Sequence, residues 1–166
     1  GVIKMLPDND YQILRLTDKF YDTYPNPPYT EILTKGSRAY NCLLFQTHYD
    51  YFICIPYRSE VNHNSAYHFK KSIRSRIHKS GLDYTKMIII TNSEYIDNVG
   101  AIIDKDEFKE TIKNFEKIKR EALEYVEEYI MHEKGIQKLH PAKYKRKYLY
   151  STLQYFHKEL GIQTKL

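Results

Sequence analysis

Apolar residues fall into short alternating or continuous runs over the first hundred positions and into helical spacing after them. Residues 11–16 alternate loosely and predict an opening strand. Thr17 followed by Asp18 reads as a helix cap, and the short helix after it stops at Pro25. Three prolines in 25–28 make a loop that no central strand would tolerate. Two β-branched and aromatic runs, 39–45 and 51–55, predict a strand pair joined by polar residues and ended by Pro56. The polar stretch 57–65 reads as a loop. Ser65 then caps a predicted helix on which Ala66, Phe69, Ile73 and Ile77 recur at helical steps, closed by Gly81. Residues 86–91 predict a buried strand and 99–103 a shorter one. A long amphipathic helix is predicted over 108–134, with Phe108, Ile112, Phe115, Ile118, Ala122, Tyr125, Val126, Tyr129 and Ile130 on its apolar side. Gly135 stops it, and a last helix runs from Pro141 to about Leu160. The pattern is α+β: one domain over 1–166, a mainly antiparallel sheet with flanking helices, and a C-terminal helical hairpin.

Length and composition narrow the function classes. The 166 residues suit one domain, and no stretch reaches the roughly 20 apolar residues of a membrane helix. No charged-then-apolar leader opens the chain, so a cytoplasmic location is expected, with no membrane partner. Cys42 and Cys54 both sit in apolar runs and read as small buried hydrophobes. Basic residues outnumber acidic ones, 26 to 21, and 17 tyrosines accompany no tryptophan. That balance suits a polyanion whose bases stack, although tyrosines also build cores.

The charge is unevenly placed. In 68–86, Lys70, Lys71, Arg74, Arg76, Lys79 and Lys86 face one acid, Asp83. In 133–148, Lys134, Lys138, Lys143, Lys145, Arg146 and Lys147 again face one, Glu133. The segment between is acidic on balance, so the chain carries two basic surfaces, read either as RNA-binding or as solvated helix faces.

The loop after the second strand of the pair carries the candidate chemistry. Arg58, Ser59 and His63 lie within six residues, and Lys35, Arg38 and Tyr40 lie near the turn that precedes the pair. Cations hold a phosphodiester and its transition-state charge, a hydroxyl binds a non-bridging oxygen, and histidine moves protons near neutral pH. The same residues also read as a Ser59 turn cap and an exposed His63. A second cluster, Asp104 with Glu107 and Lys109, has the makings of a divalent-metal nuclease site and equally of a capping box before the long helix.

Four segments resemble the ToxN/AbiQ family of type III toxin–antitoxin endoribonucleases, in particular its CptN-like branch. They are Pro-Pro-Tyr-Thr-Glu-Ile-Leu-Thr-Lys-Gly-Ser-Arg-Ala-Tyr at 27–40, Ile-Pro-Tyr-Arg-Ser-Glu-Val-Asn-His at 55–63, Gly-Leu-Asp-Tyr-Thr-Lys-Met-Ile-Ile at 81–89, and Ser-Thr-Leu-Gln-Tyr-Phe-His-Lys-Glu-Leu at 151–160. The resemblance implies a strongly twisted antiparallel sheet with a Kid/MazF-like core. It implies metal-independent RNA cleavage by 2′-hydroxyl attack, leaving a 2′,3′-cyclic phosphate, with no metal and no cofactor. It also implies inhibition by a small structured RNA, a pseudoknot processed by the toxin itself, in a closed protein–RNA assembly, and a role in phage defence for some members. The expected partners are that RNA antitoxin and cellular RNA, not DNA.

Arg38-Ala39-Tyr40 matches the family's basic–proline–aromatic segment with alanine in place of proline, Ser59 takes the serine position, and Val61 stands where some members carry lysine. On this carry-over Arg38 and Ser59 grip the phosphate and His63 shuttles a proton. Lys35 or Arg58 adds charge. Tyr40, Lys70, Lys71, Arg74, Arg76, Lys79, Lys86, Lys143, Lys145, Arg146 and Lys147 are expected to bind RNA. The competing readings are a non-catalytic RNA-binding module and a metal-dependent nuclease.

Overall fold

A computed structural model describes residues 11–34 and 39–163. Six strands, all paired antiparallel, form one sheet: β1 (Tyr11–Leu14), β2 (Cys42–Gln46), β3 (Phe52–Arg58), β4 (Ala66–His68), β5 (Gly81–Asp83) and β6 (Ile88–Ile90). The order is β1-β2-β3-β5-β4, with β6 also on β3. Five helices accompany it: α1 (Asp18–Thr23), α2 (Ile73–His78), α3 (Lys105–Lys113), α4 (Phe115–Glu133) and α5 (Pro141–Tyr148). The α+β class and the antiparallel sheet agree with the sequence pattern. No helix among the described residues is long and apolar enough to cross a membrane.

Strand β3 organises the sheet. Its run of buried residues from Phe52 to Tyr57 is unbroken, as expected where both faces are covered. Pro56 does not end it. Along one edge β3 pairs with β2 at 52–56, while along the other it pairs with β6 at 52–54 and with β5 at 57–58. Pro56 sits in the gap between those two partners, where no ladder donor is needed. The strand therefore continues to Arg58.

Other boundaries also move. Residues 66–68, expected in a helix, form strand β4 against β5. The helix begins only at Ile73, where the Ser72 hydroxyl caps the Ser75 N–H. Ile73 and Ile77, expected on the buried side, are 65% and 66% exposed. Gly81 does not end this helix but opens β5. A Cβ there would lie 2.6 Å from the Tyr67 carbonyl oxygen, so only glycine lets β4 and β5 approach this closely. Residues 99–103 form no strand, although the Ala101 N–H donates to the Ile13 carbonyl at 3.0 Å.

The expected long helix is two helices, broken at Asn114. In α4 the buried side is apolar, with Phe115, Ile118, Ala122 and Val126 in the core. In α3 it is polar: Glu107, Glu110 and Thr111 are buried, while Phe108 and Ile112 are 41% and 45% exposed. The inversion follows from available partners. Glu107, fully buried, accepts from Ser72 Oγ and Ser80 Oγ at 2.8 Å each and from Arg74 Nη1 at 2.9 Å. Glu110 accepts from Tyr67 OH at 2.8 Å and from the N–H groups of Lys70 and Lys71 at 3.0 Å. Carboxylates so satisfied are tolerated inside.

Helices α4 and α5 fold back on each other. Tyr144 bonds Glu133, Lys147 pairs with Glu128, and Tyr148 donates to the Tyr125 carbonyl. Helix α5 ends at Tyr148 rather than near 160, and a 3-10 turn, Thr152–Tyr155, follows it. Most described tyrosines serve the core. Tyr57, Tyr84, Tyr125, Tyr129 and Tyr148 are buried with their hydroxyls bonded to protein groups.

Candidate functional site

The C-terminal end of β3 builds a charged cluster around one acid. Arg58 lies opposite Gly81, and Asp83 projects two residues further along β5 on the same side. Asp83 is fully buried and receives Arg58 Nη1 at 3.0 Å, Thr85 N at 2.9 Å and Thr85 Oγ1 at 2.6 Å. His63 Nε2 stands 3.1 Å from its Oδ1, too oblique for a full hydrogen bond. Burial pushes the Asp83 pKa up. His63, Thr85 and the Arg58 charge outweigh it and hold the group below its ordinary 3.8. Asp83, ionised at neutral pH, thus ties the strand end, β5 and the 59–65 loop together.

His63 is hydrogen-bonded at one ring nitrogen and faces Asp83 with the other. Nδ1 accepts the Ser65 N–H at 3.1 Å, which puts the neutral ring's proton on Nε2, facing Asp83. The loop itself is anchored beside α2, with Glu60 N donating to the His78 carbonyl at 2.6 Å and Val61 N to that of Lys79 at 3.0 Å. Ser59 is half-buried and makes no hydrogen bond among the described residues, so it does not cap the following turn. Arg58 keeps its Nε donor unpaired.

A cleft of about 720 Å³ opens beside this cluster. His63 and Ser65 form one wall, Tyr84 and Tyr125 lie within it, and Arg146 and Lys147 stand on the α5 side. Its charge is mixed. Glu121 accepts from Tyr84 OH, and Glu128 pairs with Lys147 and with Lys143 at 3.4 Å. Burial would raise the Glu128 pKa, but Lys147 and Tyr148 hold it below its ordinary value.

The structure brings Arg58 and His63 together with Arg146 and Lys147 close by, and sends other expected groups elsewhere. Lys35 and Arg38 lie outside the described residues. Lys86 pairs with Glu31 and donates to the Tyr150 carbonyl, both at 2.8 Å. Arg74 is held by Glu107, and Arg76 Nε reaches the Ser72 carbonyl at 3.4 Å. Tyr40 is half-buried beside Tyr21 and Cys42. Lys70, Lys71, Lys79 and Lys145 are exposed. Asp104 and Glu107 do not form one centre. Asp104 caps α3 through the N–H groups of Asp106 and Glu107, while the Glu107 carboxylate is enclosed by Ser72, Arg74 and Ser80. Asp83, the organising residue, was not among the expected site residues. Its signal in the sequence is that it is the lone acid in a stretch of six cations.

Compared with known proteins, the chain matches no family model, and no curated protein or solved structure matches it significantly.

Proposed function

We propose that the protein is a metal-independent endoribonuclease toxin of the type III kind, with a Kid/MazF-like core, restrained by a small structured RNA. The observation that carries the reading is the convergence of Arg58 and His63 on buried Asp83, with His63 in the wall of the 720 Å³ cleft. A cation fixed by a buried carboxylate keeps its charge aimed at one place, as a developing phosphorane dianion requires. Arg58, 26% exposed and fixed by Asp83, supplies that charge. Ser59, with its free hydroxyl one residue on, bonds a non-bridging oxygen. The substrate's 2′-hydroxyl attacks the adjacent phosphorus, the P–O5′ bond breaks, and the 2′,3′-cyclic phosphate and 5′-hydroxyl are the products. His63 moves the proton through Nδ1 once the Ser65 N–H lets go of it, with Asp83 stabilising the imidazolium. Arg146 and Lys147 guide the strand along the cleft.

One observation favours a second reading, a non-catalytic RNA-binding module. His63 Nδ1 accepts the Ser65 N–H and Nε2 is buried against Asp83, so neither nitrogen is open to a substrate in this conformation. The two readings part on single variants. Ser59→Ala and His63→Ala, expressed at equal levels in bacteria, abolish growth arrest under the endonuclease reading. Both remaining fully toxic overturns the assignment of these residues.

A further inference from the structure

We infer that the groove between the β4–α2 connection and α3 is a second RNA site, one that holds the phosphate backbone away from the cleavage cluster. The inference rests on the reading of this protein as an RNA-binding one. The groove measures about 350 Å³ and has Tyr67 at its base with Lys70, Lys71, Lys109 and Lys113 around it. None of these four ammonium groups has a carboxylate partner among the described residues. That sets them apart from Arg58, Arg74, Lys86, Lys143 and Lys147, each of which is paired with an acid.

The cations are mounted on fixed backbone. The N–H groups of Lys70 and Lys71 both donate to Glu110 Oε1, so their side chains leave from a pinned segment. Lys109 and Lys113 are one turn apart on α3 and project from the same side. Glu110 turns its carboxylate inward, which leaves Asp106 as the exposed acid of the groove. Four separately mounted point charges suit successive phosphates of a strand better than one compact anion. Tyr67 is buried with its hydroxyl held by Glu110, so no aromatic face is offered to a base, and the contact is independent of sequence.

Strand alternation separates the two sites. Tyr67 shares a sheet face with Leu82 and Tyr57, the face on which Tyr57 meets Thr111 and Tyr67 meets Glu110 of α3. Asp83, the next residue along β5, points to the other face with Arg58 and His63. RNA in the lysine groove therefore leaves the cleavage cluster open, and affinity for long RNA is separable from chemistry on a short one.

The test uses the full chain carrying Lys70→Gln, Lys109→Gln and Lys113→Gln together. These exposed side-chain changes leave the Glu110 backbone contacts intact, and a circular dichroism melt checks the fold. Binding of a labelled single-stranded RNA of about 30 nucleotides is measured between about 50 and 200 mM salt. Three lost phosphate contacts lower the slope of log affinity against log salt by about 2. Cleavage of a trinucleotide substrate keeps its kcat/KM, while KM for the long RNA rises. An unchanged salt slope in the variant overturns the groove. Equal losses on the trinucleotide and the long RNA overturn the separation of the two sites. A wild-type protein that binds no RNA at all removes the proposed function itself, a different failure read in a different sample.

Discussion

Replacing Asp83 by asparagine removes one charge at constant size, and the contacts dictate the cost. Thr85 N, Thr85 Oγ1 and His63 Nε2 all address Oδ1, whereas Arg58 Nη1 alone addresses Oδ2. The amide keeps its oxygen toward Thr85, so its NH₂ faces the Arg58 guanidinium, donor against donor. A hydrogen bond between charged groups contributes about 1.5–3 kcal/mol, and breaking a buried pair costs about 3–5 kcal/mol. The Arg58 side chain is 26% exposed and regains some water, which selects the lower part of that range. The expected loss is about 2–4 kcal/mol at pH 7, read by equilibrium urea unfolding with an unchanged m-value. Asp83 has a lower pKa folded than unfolded. Its stabilisation is thus complete above the ordinary value of 3.8 and fades as pH falls through the depressed one. The gap between wild type and variant accordingly narrows in acid. A gap under about 1 kcal/mol at pH 7, or one that widens on acidification, refutes the account of Asp83 as the charged tie of the site.

Two further predictions concern the scaffold around it. Glu107→Ala strands the buried hydroxyls of Ser72 and Ser80 and the Arg74 charge, so it destabilises by about 3–5 kcal/mol in urea unfolding. Glu107→Gln keeps an acceptor and loses clearly less; equal losses for the two would contradict the network. Gly81→Ala forces a methyl against the Tyr67 carbonyl and costs about 1–3 kcal/mol, seen as a lowered Tm.

How far the sequence announced this molecule depends on what each residue faces. The runs that became β2 and β3 are legible because their burial is apolar and local. Phe115, Ile118 and Ala122 mark the buried side of α4 for the same reason. The inverted helix α3 is illegible to a hydrophobicity pattern. Glu107 and Glu110 go inside because serines, an arginine and backbone N–H groups far off in sequence meet them there. Helical spacing at Ala66 and Phe69 misled because the β5 edge was available for pairing, and pairing decided 66–68. Of the candidate site, Arg58, Ser59 and His63 were visible as polar residues past a strand end. Asp83 was not, since its role comes from strand register, which a one-dimensional pattern does not carry. The tyrosine count pointed toward stacking on bases, whereas the described tyrosines mainly close hydrogen bonds in the core.

Metal-free cleavage of RNA is proposed at the Arg58–Asp83–His63 cluster. The most direct measurement incubates the purified protein, freed of bound nucleic acid, with total cellular RNA in excess EDTA and maps the fragment ends. The expected ends are 2′,3′-cyclic phosphate and 5′-hydroxyl, and they vanish with Ser59→Ala. That variant still unfolds within about 0.5 kcal/mol of wild type, because the hydroxyl it loses bonds nothing in the described protein. Intact RNA, or cleavage that Ser59→Ala leaves unchanged, contradicts that proposal.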